Sequence, residues 1–276
     1  MAGSINSINT NEGAYRALSS TRSQSAALQQ AQKRLQTGLR VADAADDAST
    51  FAVAQGLRGD LQSFTAVQSS LANGAGLGSV TQAALGQVSD LSNQLQQRLT
   101  QLSDGSISAQ QRATYSADVQ SLTSQIQSTI QQAGFNGQNL LQAGASGTSF
   151  LADTNGGSLS VAGQGQVGTG ATTLQGTIDT SSAAASQASL GALQNFQNTI
   201  AQAAANNAAD TRSLVQQSNL TNSISDAVTI GLGAQVDANI GSSAAQASAR
   251  QVGRQLAFTS LGLANSQPSA LLGLTR

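Results

Sequence analysis

The sequence predicts a mainly α protein, a long helical coiled-coil bundle with a small β-hairpin region between its N- and C-terminal helices. Three observations carry this expectation. Apolar residues recur at steps of three and four through most of the chain, the spacing of one helix face. Residues 144–177 interrupt that rhythm with nine glycines and short alternating stretches around Leu159, Val161 and Val167, which reads as hairpin sequence. Pro268 is the one proline in 276 residues, so little else forbids long helices.

The first arm carries a sparse stripe of Ile5, Ile8, Tyr15, Leu18, Leu28, Ala31 and Leu35. So few apolar groups cannot offset the entropy of ordering the segment, and the arm orders only when another segment and other chains cover it. Arg34 to Arg58, RLQTGLRVADAADDASTFAVAQGLR, then reads as an elbow. Gly38 is poor in a helix interior and interrupts the arm. Asp43, Asp46 and Asp47 suit the cap and first turn of the next helix, where carboxylates meet free N–H groups, and Asp46 and Asp47 are expected to pair with Arg40 or Arg58.

Beyond the elbow, Leu57, Leu61, Phe64, Val67 and Leu71 mark a helix, and the three glycines of Ala72–Gly78 read as a break. Periodicity resumes from Leu77 through Val88 and Leu95 to Leu102, ending at the turn Asp104-Gly105-Ser106. A shorter helix over Ser108–Gln132 presents Val119, Leu122, Ile126 and Ile130, and Gly134–Gly137 (GFNG) turns the chain. Helical spacing returns from Ser181 through Leu193, Ile200, Leu214 and Ile224 to Val236, with a bend expected at Gly231 and Gly233. The last arm sets Ala245, Ala249, Val252, Leu256, Thr259 and Leu263 on one side, and Pro268 is expected to stop it.

Charged residues make up 9% of the chain, against about 25% in ordinary soluble domains. A surface so poor in charge suits contact with copies of itself, or a weakly charged secreted coiled coil. Charge is unevenly placed: five basic residues face Glu12 within residues 1–40, three face Asp237 within 235–276, and four Arg face eleven Asp between them. The basic excess is too small for nucleic-acid binding. With neither Cys nor His, disulfides, zinc centres and imidazole chemistry are excluded. No cleaved secretory signal is visible and no stretch has the apolar length of a membrane span, so no membrane insertion is expected.

Gly163, Gly165 and Gly168 spell G-x-G-x-x-G, but in glycine-rich hairpin sequence rather than a βαβ unit, so no nucleotide or other cofactor is expected. Asp46 and Asp47 are adjacent, and neighbours on a helix point about 100° apart, so they do not form an acid/base pair. The sequon at Asn219 lacks a secretory context. No nucleophile has a base beside it, and no catalytic or metal residue is assigned.

Four stretches, in order, resemble the bacterial flagellins of the short type that lacks outer domains. They are INTN (Ile8–Asn11), RLQTGLRVADAADDAS (Arg34–Ser49), GFNGQNLL (Gly134–Leu141) and the ending LANSQPSALLGLTR (Leu263–Arg276). The second is similar to the family's RLSSGLRINSAKDDAA. The resemblance implies an inner coiled-coil domain made of residues 1–42 and 235–276. It implies a shell domain of 43–143, a β-hairpin region 144–180 and a helix 181–234. Self-assembly would rest on Ile5, Ile8, Leu18, Leu28, Leu35, Val252, Leu256 and Leu263, with Gly38, Arg40, Asp43, Asp46 and Asp47 as the elbow. The implied function is a structural subunit that is exported unfolded by the flagellar type III apparatus and polymerises into the swimming filament. Its implied partners are copies of itself, an export chaperone, a filament cap and hook-junction proteins. Ser92–Leu99 (SNQLQQRL) falls where many flagellins carry a receptor-recognised LQRVRELA, with Gln94 and Gln96 in place of arginines, so weak innate-receptor activation is expected. A hook-filament junction protein and a surface binding protein on a similar scaffold are the rival readings.

Overall fold

The structure, a computed structural model, describes the backbone of residues 10–274 and the side chains of residues 10–267. Ile5 and Ile8 lie outside the described residues. The chain divides into two compact units, one containing the segments up to Gly59 and from Val228, the other spanning Asp60–Ala227.

In the first unit, α1 (Glu12–Thr37) opens at Asn11, whose side chain accepts the Ala14 N–H at 2.9 Å. It ends at Gly38, which takes the left-handed φ of 71° and donates its N–H to Arg34 O at 2.9 Å. α6 (Ile240–Leu274) lies antiparallel to it: Asn11 Nδ2 donates to Ala264 O at 2.7 Å, and Arg250 Nη1 donates to Gln24 Oε1 at 3.3 Å. The helix does not stop at Pro268 but continues to Leu274. Proline removes a single N–H donor, and a long helix can absorb that loss as a local bend.

Two further helices start or finish in this unit. α2 (Ala48–Leu102) follows the elbow, and α5 (Ala183–Val236) ends beside it. The glycines expected to mark a bend at 231 and 233 do not break the helix: α5 is continuous to Val236, because about 1 kcal/mol per glycine is a cost that flanking turns can carry. The break falls at residues 237–239, where Asn239 Oδ1 accepts the Ser242 N–H at 2.9 Å and starts α6. A small core of Val41, Ala54 and Val236, flanked by Leu39, Phe51 and Leu232, closes the elbow.

In the second unit, the glycines of Ala72–Gly78 do not interrupt α2, which is one helix of 55 residues. They are seats for close packing. A Cβ at Gly74 would stand 2.9 Å from Leu214 Cδ1, and one at Gly76 would stand 3.0 Å from the Phe135 ring; at Gly78 it would overlap the Thr211 hydroxyl. α3 (Ala109–Gln132) begins with a capping box between Ser108 and Gln111. The Phe135–Gln138 turn follows, with Asn136 at φ 53° and Gly137 at φ 80°. Asn139 ties the turn to α3, donating to Ile130 O at 2.7 Å and accepting the Leu141 N–H at 2.9 Å.

β1 (Thr148–Leu151) and β2 (Ser158–Val161) form one antiparallel hairpin, with Thr148 opposite Val161. The hairpin expectation fails beyond it, because residues Gly165–Thr177 are the helix α4. Val167, Ala171 and Leu174, at steps of four and three, bury one face of α4 in the main core. That stripe is helical, but the glycines at 165, 168, 170 and 176 mask it. The core joins α2, α3, α4 and α5 through residues such as Val88, Leu95, Ile126 and Leu193. A second cluster around Leu71, Leu77, Leu140 and Leu214 holds the hairpin.

Candidate functional site

Two features stand out from the residues upward: a charged clamp at the elbow and large apolar side chains exposed on the surface of each unit. The clamp centres on Lys33, the chain's one lysine, near the end of α1. Its Nζ lies 2.7 Å from Asp43 Oδ2 and 2.8 Å from Asp46 Oδ2. Asp46 Oδ2 also accepts the Ala42 N–H at 3.0 Å, while Asp43 Oδ1 accepts the Ala45 N–H at 3.0 Å. Hydrogen bonds from Lys33 hold both carboxyls below the ordinary carboxylate range and raise the Lys33 ammonium.

Asp47 caps α2. Its Oδ1 accepts the N–H groups of Ser49 and Thr50, each at 3.1 Å, and its Oδ2 accepts the Thr50 hydroxyl at 2.6 Å. These bonds, led by the Thr50 hydroxyl, lower its carboxyl too, with a smaller pull from Arg40. Arg40 or Arg58 was the cation expected beside Asp46 and Asp47, but Asp46 takes Lys33, and Asp47 is held by the α2 cap with only the weak pull of Arg40. Arg40 donates to the Gln235 carbonyl and Arg58 to Gln55 Oε1 at 3.2 Å, because the turn after Gly38 brings the end of α1, not the start of α2, over the carboxylates. Sequence reasoning passed over Lys33; its being the only lysine was the available signal.

The arms also differ from their sequence reading. Leu28 is buried and Leu18 and Leu35 are half-buried on α1, while on α6 Ser243 and Ala257 are buried and Ala247, Gly253, Leu261 and Ala264 half-buried, small residues but for Leu261. Small residues let the two helices pack closely. Val252, Leu256 and Leu263 are instead 55%, 61% and 69% exposed, so the apolar face read from the sequence is left largely uncovered by α1, with Leu256 at the edge of the groove between the two helices. On α5, Val215, Leu220, Ile224 and Ile230 are exposed as well. Apolar groups of this size left in water are characteristic of surfaces that meet another molecule.

The glycine motif at 163–168 has a strand before it and a helix after it, contrary to the sequence expectation. The strand is antiparallel, however, and the glycine faces are filled by the chain's own backbone: a Cβ at Gly165 would lie 2.8 Å from Ala145 N, and one at Gly168 2.6 Å from Leu141 O. The motif packs a helix against a loop and leaves no cradle for a pyrophosphate. In Ser92–Leu99, Arg98 is bound to Asp118 at 3.2 Å and lies 5.6 Å from the Tyr115 ring centre, and Gln96 Oε1 accepts from Gln197 Nε2 at 3.2 Å. Among the described residues, no group of three or more acidic side chains is placed to hold a metal ion, and no helix is long and apolar enough to cross a membrane.

The sequence matches the profile of the bacterial flagellin N-terminal helical region over residues 8–146, half of the chain. It is 30% identical to the flagellin FljN of Caulobacter vibrioides, with 99% of each chain covered, and 30% identical to FljK of the same organism over the same shares. A flagellin of Brucella melitensis biotype 1 is 27% identical over 98% of this chain and 99% of its own. A solved flagellin of Bacillus cereus aligns with 55% of this chain and 88% of its own length, at 18% identity and a TM-score of 0.49. With a family profile across half its length and relatives matched from end to end, this chain is a member of the bacterial flagellin family.

Proposed function

We propose that the chain is the structural subunit of a bacterial flagellar filament outside the cell and serves swimming motility. The observation that carries this reading is the largely uncovered apolar face of α6. Val252, Leu256 and Leu263 stay more than half exposed beside α1, and in a chain with so little surface charge a neighbouring copy is the natural cover. Leu18, Leu28 and Leu35 hold the arms together, so that α6 presents this face as one ordered strip. Ile5 and Ile8 extend the stripe of the first arm in the sequence. The elbow residues Gly38, Arg40, Asp43, Asp46 and Asp47 set where the arm ends and α2 begins. In this reading residues 1–42 and 235–276 act as the inner domain and 43–234 as the shell.

The role is mechanical rather than catalytic. An export chaperone on the C-terminal arm, a filament cap and hook-junction proteins are the further partners of this reading, supported by the family's architecture of terminal arms. Seeded polymerisation of the purified full chain, followed by electron microscopy, tests it. Filaments from the full chain, and none from chains lacking residues 1–35 or 250–276, are expected. Native filaments from either truncation would overturn the role given to the arms, and failure of the full chain to polymerise would overturn the subunit reading.

A further inference from the structure

Three asparagine–glycine pairs occur in the chain: Asn73–Gly74, Asn136–Gly137 and Asn155–Gly156. In such a pair the glycine amide nitrogen can attack the asparagine side-chain carbonyl, because the glycine has no β-carbon to hinder the approach. The fold treats the three pairs differently. Asn73 and Gly74 lie inside α2, where the Gly74 N–H belongs to the helix ladder and Leu214 and Phe150 fill the space beside it. Asn136 and Gly137 are the central residues of the Phe135–Gln138 turn, both at positive φ, and Phe135 and Gln138 exchange backbone hydrogen bonds of 2.8 and 2.9 Å. Closing a ring between Gly137 N and the Asn136 side chain turns that backbone out of the left-handed region and opens both bonds.

Asn155–Gly156, at the tip of the β1–β2 hairpin, is under neither restraint. Both residues are exposed. Asp153 Oδ1 accepts the N–H groups of Asn155 at 2.7 Å and of Gly157 at 2.8 Å, which fixes the loop on either side. The N–H between them, that of Gly156, donates to no group among the described residues. The nucleophile is therefore free and stands beside its target.

We propose that Asn155 is a site of spontaneous deamidation, through which the hairpin tip converts itself slowly to an acidic form. The Gly156 nitrogen forms a bond to Asn155 Cγ, the Cγ–Nδ2 bond breaks, and Nδ2 leaves as ammonia with the proton from Gly156. Water then opens the five-membered imide. Addition at Cγ gives aspartate; addition at the main-chain carbonyl gives isoaspartate, in which the chain runs through the side-chain carbon. Water is the co-reactant, and nothing is oxidised or reduced. Either product adds one negative charge to a chain whose formal net charge is −1. The new carboxylate stands two residues from Asp153, so the two repel across the tip. The change stops there, because the hairpin is anchored below: the Leu151 N–H donates to Ser70 Oγ and Gln217 Nε2 to Ala152 O, each at 2.8 Å. The protein thus gains surface charge with age while its core stays closed.

The full chain, kept in neutral buffer and sampled over weeks, is digested and its peptides are weighed beside a synthetic peptide of residues 151–160. Asn155 is expected to gain the mass of one deamidation, as aspartate and isoaspartate, at a rate within about tenfold of the peptide's, since no hydrogen bond must break first. Asn73 and Asn136 should each react at least about tenfold more slowly than Asn155, since backbone hydrogen bonds must open before the ring can close. The chain should also acquire an acidic species on ion exchange. Asn155→Gln, which keeps an amide but disfavours the ring, should lose it. An Asn155 that stays intact while the peptide converts, an equal rate at Asn73 or Asn136, or an undiminished acidic species in Asn155→Gln would overturn the proposal.

Discussion

Lys33 Nζ and Asp46 Oδ2 meet at 2.8 Å across the turn that joins α1 to α2, and Asp43 Oδ2 completes the clamp at 2.7 Å. The single lysine thereby connects the end of the arm to the residues that start the next helix. Lys33 and Asp43 are open to solvent and Asp46 is partly covered, so the clamp's effect is mainly local order rather than bulk stability.

Its pH dependence follows from the directions of the shifts. Lowered carboxyls contribute fully above their unfolded pKa and lose that contribution as pH falls through the folded value. A raised ammonium contributes fully below its unfolded pKa and loses it as pH rises through the folded value. Elbow order should therefore be flat between about pH 4 and about pH 10 and decline outside that window. Amide exchange at residues 38–47 across an acid titration checks this. Lys33→Gln should remove the clamp's share of the acid dependence while leaving the cap at Asp47 intact.

Gly38→Ala isolates the backbone at the elbow. A Cβ there meets nothing within 4 Å, so no clash contributes, but the φ of 71° should cost about 1–2 kcal/mol in an alanine. Filament shape and swimming should change before the thermal unfolding of the 60–227 unit does. Asp47→Ala, which removes the α2 cap, should act in the same order. Electron microscopy and motility assays beside a circular dichroism melt decide it, and an early melt with an unaltered filament would count against the assignment.

Gly78 and Thr211 should behave as a matched pair. Gly78→Ala forces a methyl onto the Thr211 hydroxyl and should destabilise the unit by about 1–3 kcal/mol. Gly86→Ala, in the same helix with nothing within 4 Å, should stabilise it by about 0.4–1 kcal/mol. Adding Thr211→Ala to Gly78→Ala should recover part of the loss, since the two changes share one contact. Urea unfolding of the four proteins measures all three effects.

Asn139→Ala should cost about 1–3 kcal/mol. It removes the donor to Ile130 O and the acceptor for Leu141 N–H, leaving backbone groups beside a buried core without their partners. Asn139→Asp, which keeps only the acceptor, should fall between alanine and the native chain in the same unfolding assay.

Much of this molecule was legible in one dimension. The 3.6-residue rhythm found the long helices, though not the continuity of α2 or the end of α6; α3 started at Ser108 where expected, and Gly38 ended α1. Four ordered stretches named the family. These signals are local: they depend on spacing, caps and backbone preference, which a sequence states directly.

What the sequence left undecided depended on neighbours far along the chain. Glycines at 74, 76 and 78 looked like a break and are packing seats, because Leu214, Phe135 and Thr211 press on them. The lysine that reaches Asp43 and Asp46 is chosen by the direction of the turn after Gly38, not by proximity in sequence. The apolar face of the last arm was visible as a stripe, but only the packing against α1 decided that Val252, Leu256 and Leu263 stay largely uncovered. Periodicity says which side chains share a face; only tertiary structure says what that face meets.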